Sequence, residues 1–228
     1  MAFKIVAVYG GSFDPPTKAH IDVAKGILGW ASLRVDEVWM MPCFTHPFGK
    51  EMLRYEDRLM LCSIAASGEK KIVVSDFESV VAKRWSAWDE GSTIKTAMNL
   101  IGSYDDTMFR FIIGMDCAID FHKWKHYEDL QGLVTFIVVP RQGYVHDPDA
   151  WYMKGKAAIV TEEGKVTGWK PRHDYLPGLV TGEMSSTKVH EALQSWTDRT
   201  KDSPAPLKEW VDPMVLECIA EKGFYLPK

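Results

Sequence analysis

Cysteine is scarce in this chain: four in 228 residues. Cys43, Cys62, Cys117 and Cys218 stand far apart with no CxxC pair. That spacing excludes a zinc knuckle and a redox dithiol, and three of the four lie in or beside apolar runs, where buried free thiols are common. Basic residues are not in excess either. Lys+Arg is 27 against Asp+Glu 31, a net charge of −4, which argues against a broad nucleic-acid surface but leaves room for a local phosphate pocket. No apolar run approaches the roughly 18 residues of a membrane helix. The opening MAFKIVAVYGG has too short an apolar stretch, and no small-residue cleavage site, for a secretory signal. The expectation is a reduced, cytoplasmic protein with no membrane partner and no nucleic-acid partner. Internal repeats, low-complexity segments, the GxxxxGK[ST] loop, the GxGxxG fingerprint and HExxH are all missing. What remains is an ordinary globular composition, 46% hydrophobic and 25% charged, in a chain long enough to bury about 70% of its extended surface.

Strand-length apolar runs alternate with amphipathic stretches. Lys4–Tyr9, Glu37–Met41, Lys71–Ser75, Met108–Ile113 and Leu133–Val139 read as strands. Lys18–Leu28, Tyr55–Ala66 and Thr93–Ile101 read as helices between them. Strands this continuously apolar are covered on both faces, the habit of parallel sheets with crossover helices. The fold class is therefore α/β, doubly wound, with a Rossmann-like parallel sheet and a C-terminal helical part. One domain over 1–228 divides into a nucleotide-binding core at 1–140, connecting or substrate loops at 141–183 and the helical part at 184–228. The middle segment is rich in Gly, Pro, Asp, Lys and Trp, with one strand candidate at Ala157–Thr161. The last segment has helices near Ser186–Gln194 and Pro213–Lys222, with the polar, proline-bearing DRTKDSPAPLKEW between them read as a loop.

The densest chemistry follows the first strand. Gly10-Gly11-Ser12-Phe13-Asp14-Pro15-Pro16-Thr17-Lys18-Ala19-His20 leaves a buried strand, turns on glycines and enters a helix with Thr17 and His20 in its first turn. The carboxyl end of a first parallel strand is where α/β sheets bind nucleotides. Free N–H groups and the dipole at a helix start attract phosphate, and a hydroxyl and an imidazole three residues apart share one helical face.

This segment resembles the first signature of the nucleotidylyltransferase superfamily, a GSF(D/N)P turn followed by (H/T)xxH, and within it the nicotinamide/nicotinate mononucleotide adenylyltransferases. The second signature of that family, roughly ISSTxIR, is matched by Met184-Ser185-Ser186-Thr187-Lys188-Val189-His190. Between them, Phe48-Gly49-Lys50 with Arg58, Gly91-Ser92-Thr93-Ile94-Lys95-Thr96, Phe111-Ile112-Ile113-Gly114-Met115-Asp116, Phe121-His122-Lys123-Trp124 and Val139-Pro140-Arg141-Gln142-Gly143 resemble further family segments. Val211–Tyr225 resembles its terminal helix ending in (L/F)Y. The resemblance thins between about 144 and 180.

The resemblance implies an adenylyltransferase that joins nicotinamide or nicotinate mononucleotide to the AMP part of ATP, releasing pyrophosphate, with Mg²⁺ accompanying the ATP. A phosphomonoester has its second pKa near 6 and arrives largely deprotonated, so no general base is needed. Alignment of two anions and stabilisation of the charge growing on pyrophosphate are needed. On this reading His20 donates to the α-phosphate and Thr17 bonds neighbouring oxygens. Gly10, Gly11, Ser12, Phe13 and Lys18 form the phosphate turn, and Ser185, Ser186 and Thr187 hold the β- and γ-phosphates together with His190. Asp116 meets the adenosine ribose. Lys50, Thr93, Trp124 and Arg141 serve the mononucleotide, with Trp124 stacked on the pyridine ring. Each of these has a plainer reading: Asp116 as a helix cap, Lys50 as a solvated lysine, Ser185–Thr187 as a cap, Trp124 as core.

Two positions depart from the family pattern: Ala19 where glycine is common, and His190 in place of the final arginine. Arginine carries a permanent charge and a bidentate fork, and histidine carries neither reliably near neutral pH. A weaker triphosphate grip is expected at His190, or a compensating cation such as Lys188 or Arg172. His122 and His126 have the i, i+4 spacing of metal ligands, but the intervening lysines and missing glutamate disfavour zinc. Asp105-Asp106, Asp147 and Asp149 read as loop residues. Trp85 and Trp88 are candidates for a lid, for the pyridine pocket or for a contact in a homo-oligomer. The rival readings are a non-catalytic nucleotide-binding or regulatory module with altered signatures, and another small-molecule nucleotidylyltransferase.

Overall fold

The computed structural model describes residues 3–46, 49–84, 92–160, 166–179 and 186–226. Apolar residues at successive positions of a strand demand cover on both faces. In β1 (Lys4–Gly11), Val6 and Val8 face one core while Ala7 faces the other. The same alternation runs through β4 (Thr107–Gly114), where Phe109, Phe111 and Ile113 oppose Ile112, and through β5 (Thr135–Val139), where Phe136 and Val138 oppose Ile137 and Val139. With β2 (Glu37–Pro42), β3 (Ile72–Val74) and β8 (Asp174–Tyr175) they form a parallel sheet in the order β3-β2-β1-β4-β5-β8. Helices α1 (Lys18–Gly29) and α2 (Tyr55–Ala65) cover one face. On the other lie α4 (Thr93–Ser103), α5 (Met115–Ile119) and α6 (Tyr127–Leu133). The strand order reverses between β1 and β4, which opens a crevice at their carboxyl ends.

The expected strands and helices are present with bounds shifted by a residue or two, and four differences are informative. Leu133 closes α6 instead of opening β5, because an apolar run cannot by itself mark where a helix hands over to a strand. Helix α3 (Phe77–Arg84) went unread. The segment 141–183 is not only connecting structure. It holds an antiparallel pair, β6 (Lys156–Val160) with β7 (Val166–Pro171), and supplies β8 to the main sheet. A two-residue strand has no periodicity to read. It is fixed by tertiary partners: Arg110 of β4 pairs with Asp174 at 3.3 Å, and the Leu176 N–H donates to the Val138 carbonyl. The polar loop expected before Trp210 contains α8 (Ala205–Trp210), with Pro204 preceding its first turn.

The C-terminal helices α7 (Ser186–Ser195), α8 and α9 (Pro213–Lys222) build a third apolar cluster with α2, through Val189, Leu193, Leu207, Val215 and Ile219 against Leu61. This places His190 of the second signature against the turn after β1. Among the described residues, no helix is long and apolar enough to cross a membrane. Trp85, Trp88, Gly91, Phe48, Met184 and Ser185 lie outside the described residues.

His173, beside β8, is buried against Phe136 and Trp151, and its Nδ1 accepts the Phe136 N–H at 3.1 Å. Burial, with the charge of Arg172, pushes its pKa down from 6.5 to about 4. The unfolded chain therefore takes up a proton near 6.5 that the folded chain refuses until about 4. Stability should fall as pH drops through that window, by at most about 1.4 kcal/mol per pH unit for this group. Urea midpoints across pH 4–7 should show a shallower slope for His173→Asn, which keeps an acceptor for Phe136. Equal slopes would show that His173 does not contribute.

Candidate active site

The turn after β1 is held from several directions. Phe13 adopts a left-handed backbone, φ 43°, and its buried ring lies over Gly11, where a Cβ would meet the ring at 3.2 Å. Any side chain at Gly11 would have to displace that ring. Gly10 faces open space. Arg58 of α2 is 1% exposed, and its guanidinium donates to the carbonyls of Ser12 (2.8 Å), Cys43 (2.7 Å) and Leu53 (3.1 Å). It stitches the turn after β1 to the one after β2. Sequence reading placed Arg58 only inside a family segment. The missed signal was its spacing with Leu61 and Cys62, which puts a cation on the buried face of α2.

Asp14 is equally enclosed. Its Oδ1 accepts from the Tyr225 hydroxyl at 2.6 Å and from the Leu53 N–H at 3.4 Å. Its backbone carbonyl accepts from His190 Nε2 at 2.6 Å. Burial alone would raise the carboxyl pKa, but the His190 imidazole 3.5 Å from Oδ2, the Tyr225 hydroxyl and the Leu53 N–H outweigh it and hold it below the usual range. His190 moves the other way, raised by its bond to Asp14 against the cost of burial.

Thr17 caps α1 in extended conformation, and its N–H donates to His20 Nδ1 at 2.9 Å, with its hydroxyl 2.8 Å from the same nitrogen. An Nδ1 that accepts a backbone N–H carries no proton, so the neutral ring carries it on Nε2. The ring is half-buried between Tyr9 and Phe13, with centroids at 6.0 and 5.0 Å. Burial, with the charge of Arg141, pushes its pKa down from 6.5 to about 4. His20 is thus a neutral imidazole at physiological pH, fixed as an Nε2–H donor at the start of a helix.

Across the crevice, Asp116 in the first turn of α5 pairs with Arg141, which follows β5. The plainer reading of Asp116 as a helix cap does not hold, since α5 begins at Met115 with Gly114 at its N-cap and Asp116 lies inside the first turn. Gly114 makes the pairing possible: a Cβ there would meet Asp116 Oδ1 at 2.5 Å. Burial and the Asp116 carboxylate both raise the Tyr9 phenol pKa, so Tyr9 stays protonated. Arg141 acts electrostatically on Tyr9 and on His20. The topology therefore brings His20, Asp116 and Arg141, 121 residues apart in sequence at the extremes (141 − 20), to one electrostatic site.

Lys50 is exposed after β2, and its charge acts on His46 and His190. Thr93 opens α4 and is half-buried, while its neighbour Thr96 donates to Glu78 of α3 at 2.5 Å. Trp124 is half-buried, tilted against Phe121 at 5.4 Å. Thr187 is exposed in the first turn of α7; Ser186 begins that helix. Two expectations need correction. Lys18 does not reach the phosphate turn, because its Nζ donates to the Lys208 carbonyl of α8 at 2.8 Å. Arg172 cannot compensate for His190, since its guanidinium bonds the Gln131 and Gly132 carbonyls at the end of α6, toward the opposite edge of the sheet. His122 and His126 share no helix: His126 sits in left-handed conformation before α6. Among the described residues no group of three or more His, Cys, Asp or Glu could hold a metal ion.

A family model described as cytidylyltransferase-like matches residues 8–192. A curated protein of Anaeromyxobacter dehalogenans, "Probable nicotinate-nucleotide adenylyltransferase", is 37% identical over 145 residues, which cover 64% of this chain and 75% of that protein. A protein of the same description from Myxococcus xanthus is 34% identical over 140 residues, covering 61% and 70%. Among solved structures, Plasmodium falciparum nicotinic acid mononucleotide adenylyltransferase complexed with NaAD superposes with a TM-score of 0.71 over 97% of each chain at 19% identity, a likeness of fold.

Proposed function

The chain belongs to the cytidylyltransferase-like family, with the nicotinate-nucleotide adenylyltransferases as its relatives, and on that premise we propose that it transfers the adenylyl group of ATP to nicotinate mononucleotide. The mononucleotide phosphate oxygen attacks the α-phosphorus of ATP, the bond from that phosphorus to the bridging oxygen breaks, and pyrophosphate leaves with the electron pair. No proton need be removed from the nucleophile, whose second ionisation lies near 6. The chain's work is alignment and charge stabilisation.

The observation that carries this reading is the His20 imidazole, neutral and oriented by Thr17 so that Nε2–H is the donor. It stands at a helix N-terminus above a glycine turn, at the point where the strand order reverses. Such a donor meets charge that develops on the α-phosphate without adding a proton to it. Gly10, open above, lets a phosphate approach the backbone. Thr17, Ser12 and Gly11 complete that cradle; Ser186 and Thr187 at the start of α7, with Ser185 before them in the sequence, receive the outer phosphates, and Lys50 a substrate phosphate. Asp116, steadied by Arg141, faces the adenosine side. Thr93 and Trp124 are assigned to the pyridine, at its substituent and its ring face. Magnesium enters as part of the MgATP substrate.

The test is pyrophosphate release from MgATP with each pyridine mononucleotide in turn. Turnover with nicotinate mononucleotide, favoured over the nicotinamide form by about tenfold or more in kcat/KM, is the expected result, since a site built for one polar substituent rejects the other. ATP bound with no pyrophosphate released from either would overturn the proposal in favour of a binding module.

A further inference from the structure

Asp14 is the point on which distant parts of the chain converge. Its side chain is 0% exposed, and Oδ2 has no hydrogen-bond partner among the described residues, lying 3.5 Å from His190 Nε2. Two of the residues that reach it, His190 of α7 and Tyr225 beyond α9, also pack on each other, edge to face with centroids 5.1 Å apart. They hold different atoms of Asp14: His190 the backbone carbonyl at 2.6 Å, Tyr225 the carboxylate at 2.6 Å. The residue before Asp14 is Phe13, whose ring touches both the glycine turn and the His20 ring. The left-handed Phe13 backbone persists only if its surroundings over-determine it.

The far nitrogen of His190, the one that would replace an arginine fork toward a phosphate, is spent on a carbonyl of the chain. We propose that His190 and Tyr225 are positioning residues that fix Asp14, and through Phe13 the orientation of His20, and that His190 is not a triphosphate ligand. This rests on the adenylyltransferase reading of the site. The C-terminal helices thereby determine the geometry of a turn made by the first strand. The histidine in the second signature is suited to its own contact with Asp14 and does not stand in for the arginine's charge.

Steady-state kinetics on the full chain test this with Tyr225→Phe, His190→Ala and His190→Gln. A small misalignment of the donor should lower kcat by about tenfold in Tyr225→Phe and His190→Ala, with KM for MgATP within about twofold of wild type. His190→Gln places an amide N–H near the former Nε2 and should recover most of the rate. Circular dichroism and thermal midpoints accompany each variant; if His190→Ala fails to fold, Tyr225→Phe, which loses one oxygen, carries the test. A His190→Ala chain with kcat intact and KM for MgATP raised about tenfold would overturn the assignment and make His190 a phosphate ligand. Lowered thermal midpoints with kcat unchanged would overturn it as well, leaving a structural role only. A wild-type chain that releases no pyrophosphate would overturn the adenylyltransferase reading itself, whereas active wild type with fully active variants overturns the positioning role alone.

Discussion

His20→Ala is expected to lower kcat by about 10²- to 10³-fold, the loss typical when one donor to a developing oxyanion is removed. KM for MgATP and for the mononucleotide should change by no more than about threefold, because the donor acts mainly on charge absent from the ground state. The tautomer sharpens the expectation. Nδ1 is committed to the Thr17 N–H, so only Nε2–H can face a phosphate, and His20→Gln, which can present an N–H near that position, should retain more rate than alanine. The pH dependence follows with its sign. His20 in the free chain titrates at about 4, so lowering pH from 8 to 6.5 should not protonate it. The acid limb of kcat/KM should instead track the substrate phosphate near 6. Stopped assays of pyrophosphate release measure both. A loss below tenfold in His20→Ala would remove His20 from the chemistry.

The largest effect on stability should come from Arg58. It is buried with its charge, and its partners are four main-chain carbonyls, of Ser12, Cys43, Phe44 and Leu53. Arg58→Ala leaves these acceptors unpaired and opens a cavity beneath the nucleotide turn. A loss of roughly 3–5 kcal/mol in urea unfolding is expected, the size seen when one member of a buried charged network is deleted. Two terms compete here. Removing a buried guanidinium relieves its desolvation cost, but the orphaned carbonyls and the cavity outweigh that relief unless water enters. Arg58→Lys keeps the charge without the fork, has three donors for four carbonyls, and should recover only part of the loss. A change under about 1 kcal/mol in Arg58→Ala would show that the turn does not depend on this stitch.

The two titrations at the site oppose each other in pH. His190, raised by Asp14, contributes stability that is complete below about 6.5 and is lost as pH rises through its folded value. His20, lowered by burial, makes the fold lose stability as pH falls from 6.5 toward 4. The site is thus held tightest between these two windows.

Much of the sheet could be read from the chain because strands covered on both faces are continuous apolar runs. β1, β2 and β4 stand within two residues of their expected bounds, and the glycine turn falls where a parallel sheet keeps its ligands. Thr17 and His20 were legible as a pair, since both lie in one helical turn and local spacing decides their geometry. Asp116 and Arg141 were legible as members of motifs, but their mutual contact was not. The misread positions have one thing in common. Lys18 and Arg172 are long side chains, and each was captured by a main-chain carbonyl from another part of the fold.

Sequence by itself determined the class of sheet, the place of the glycine turn after the first strand and the family to which the chain belongs, because these depend on hydrophobic periodicity and on residues adjacent along the chain. Tertiary structure alone decided what holds that turn in shape. Asp14 meets His190 across 176 residues and Tyr225 across 211, and Arg58 becomes a buried bridge only once α2 packs against β2. Such contacts are set by how apolar faces dock, and hydrogen bonds then form among most of the polar groups the docking encloses, since each one left buried without a partner costs stability.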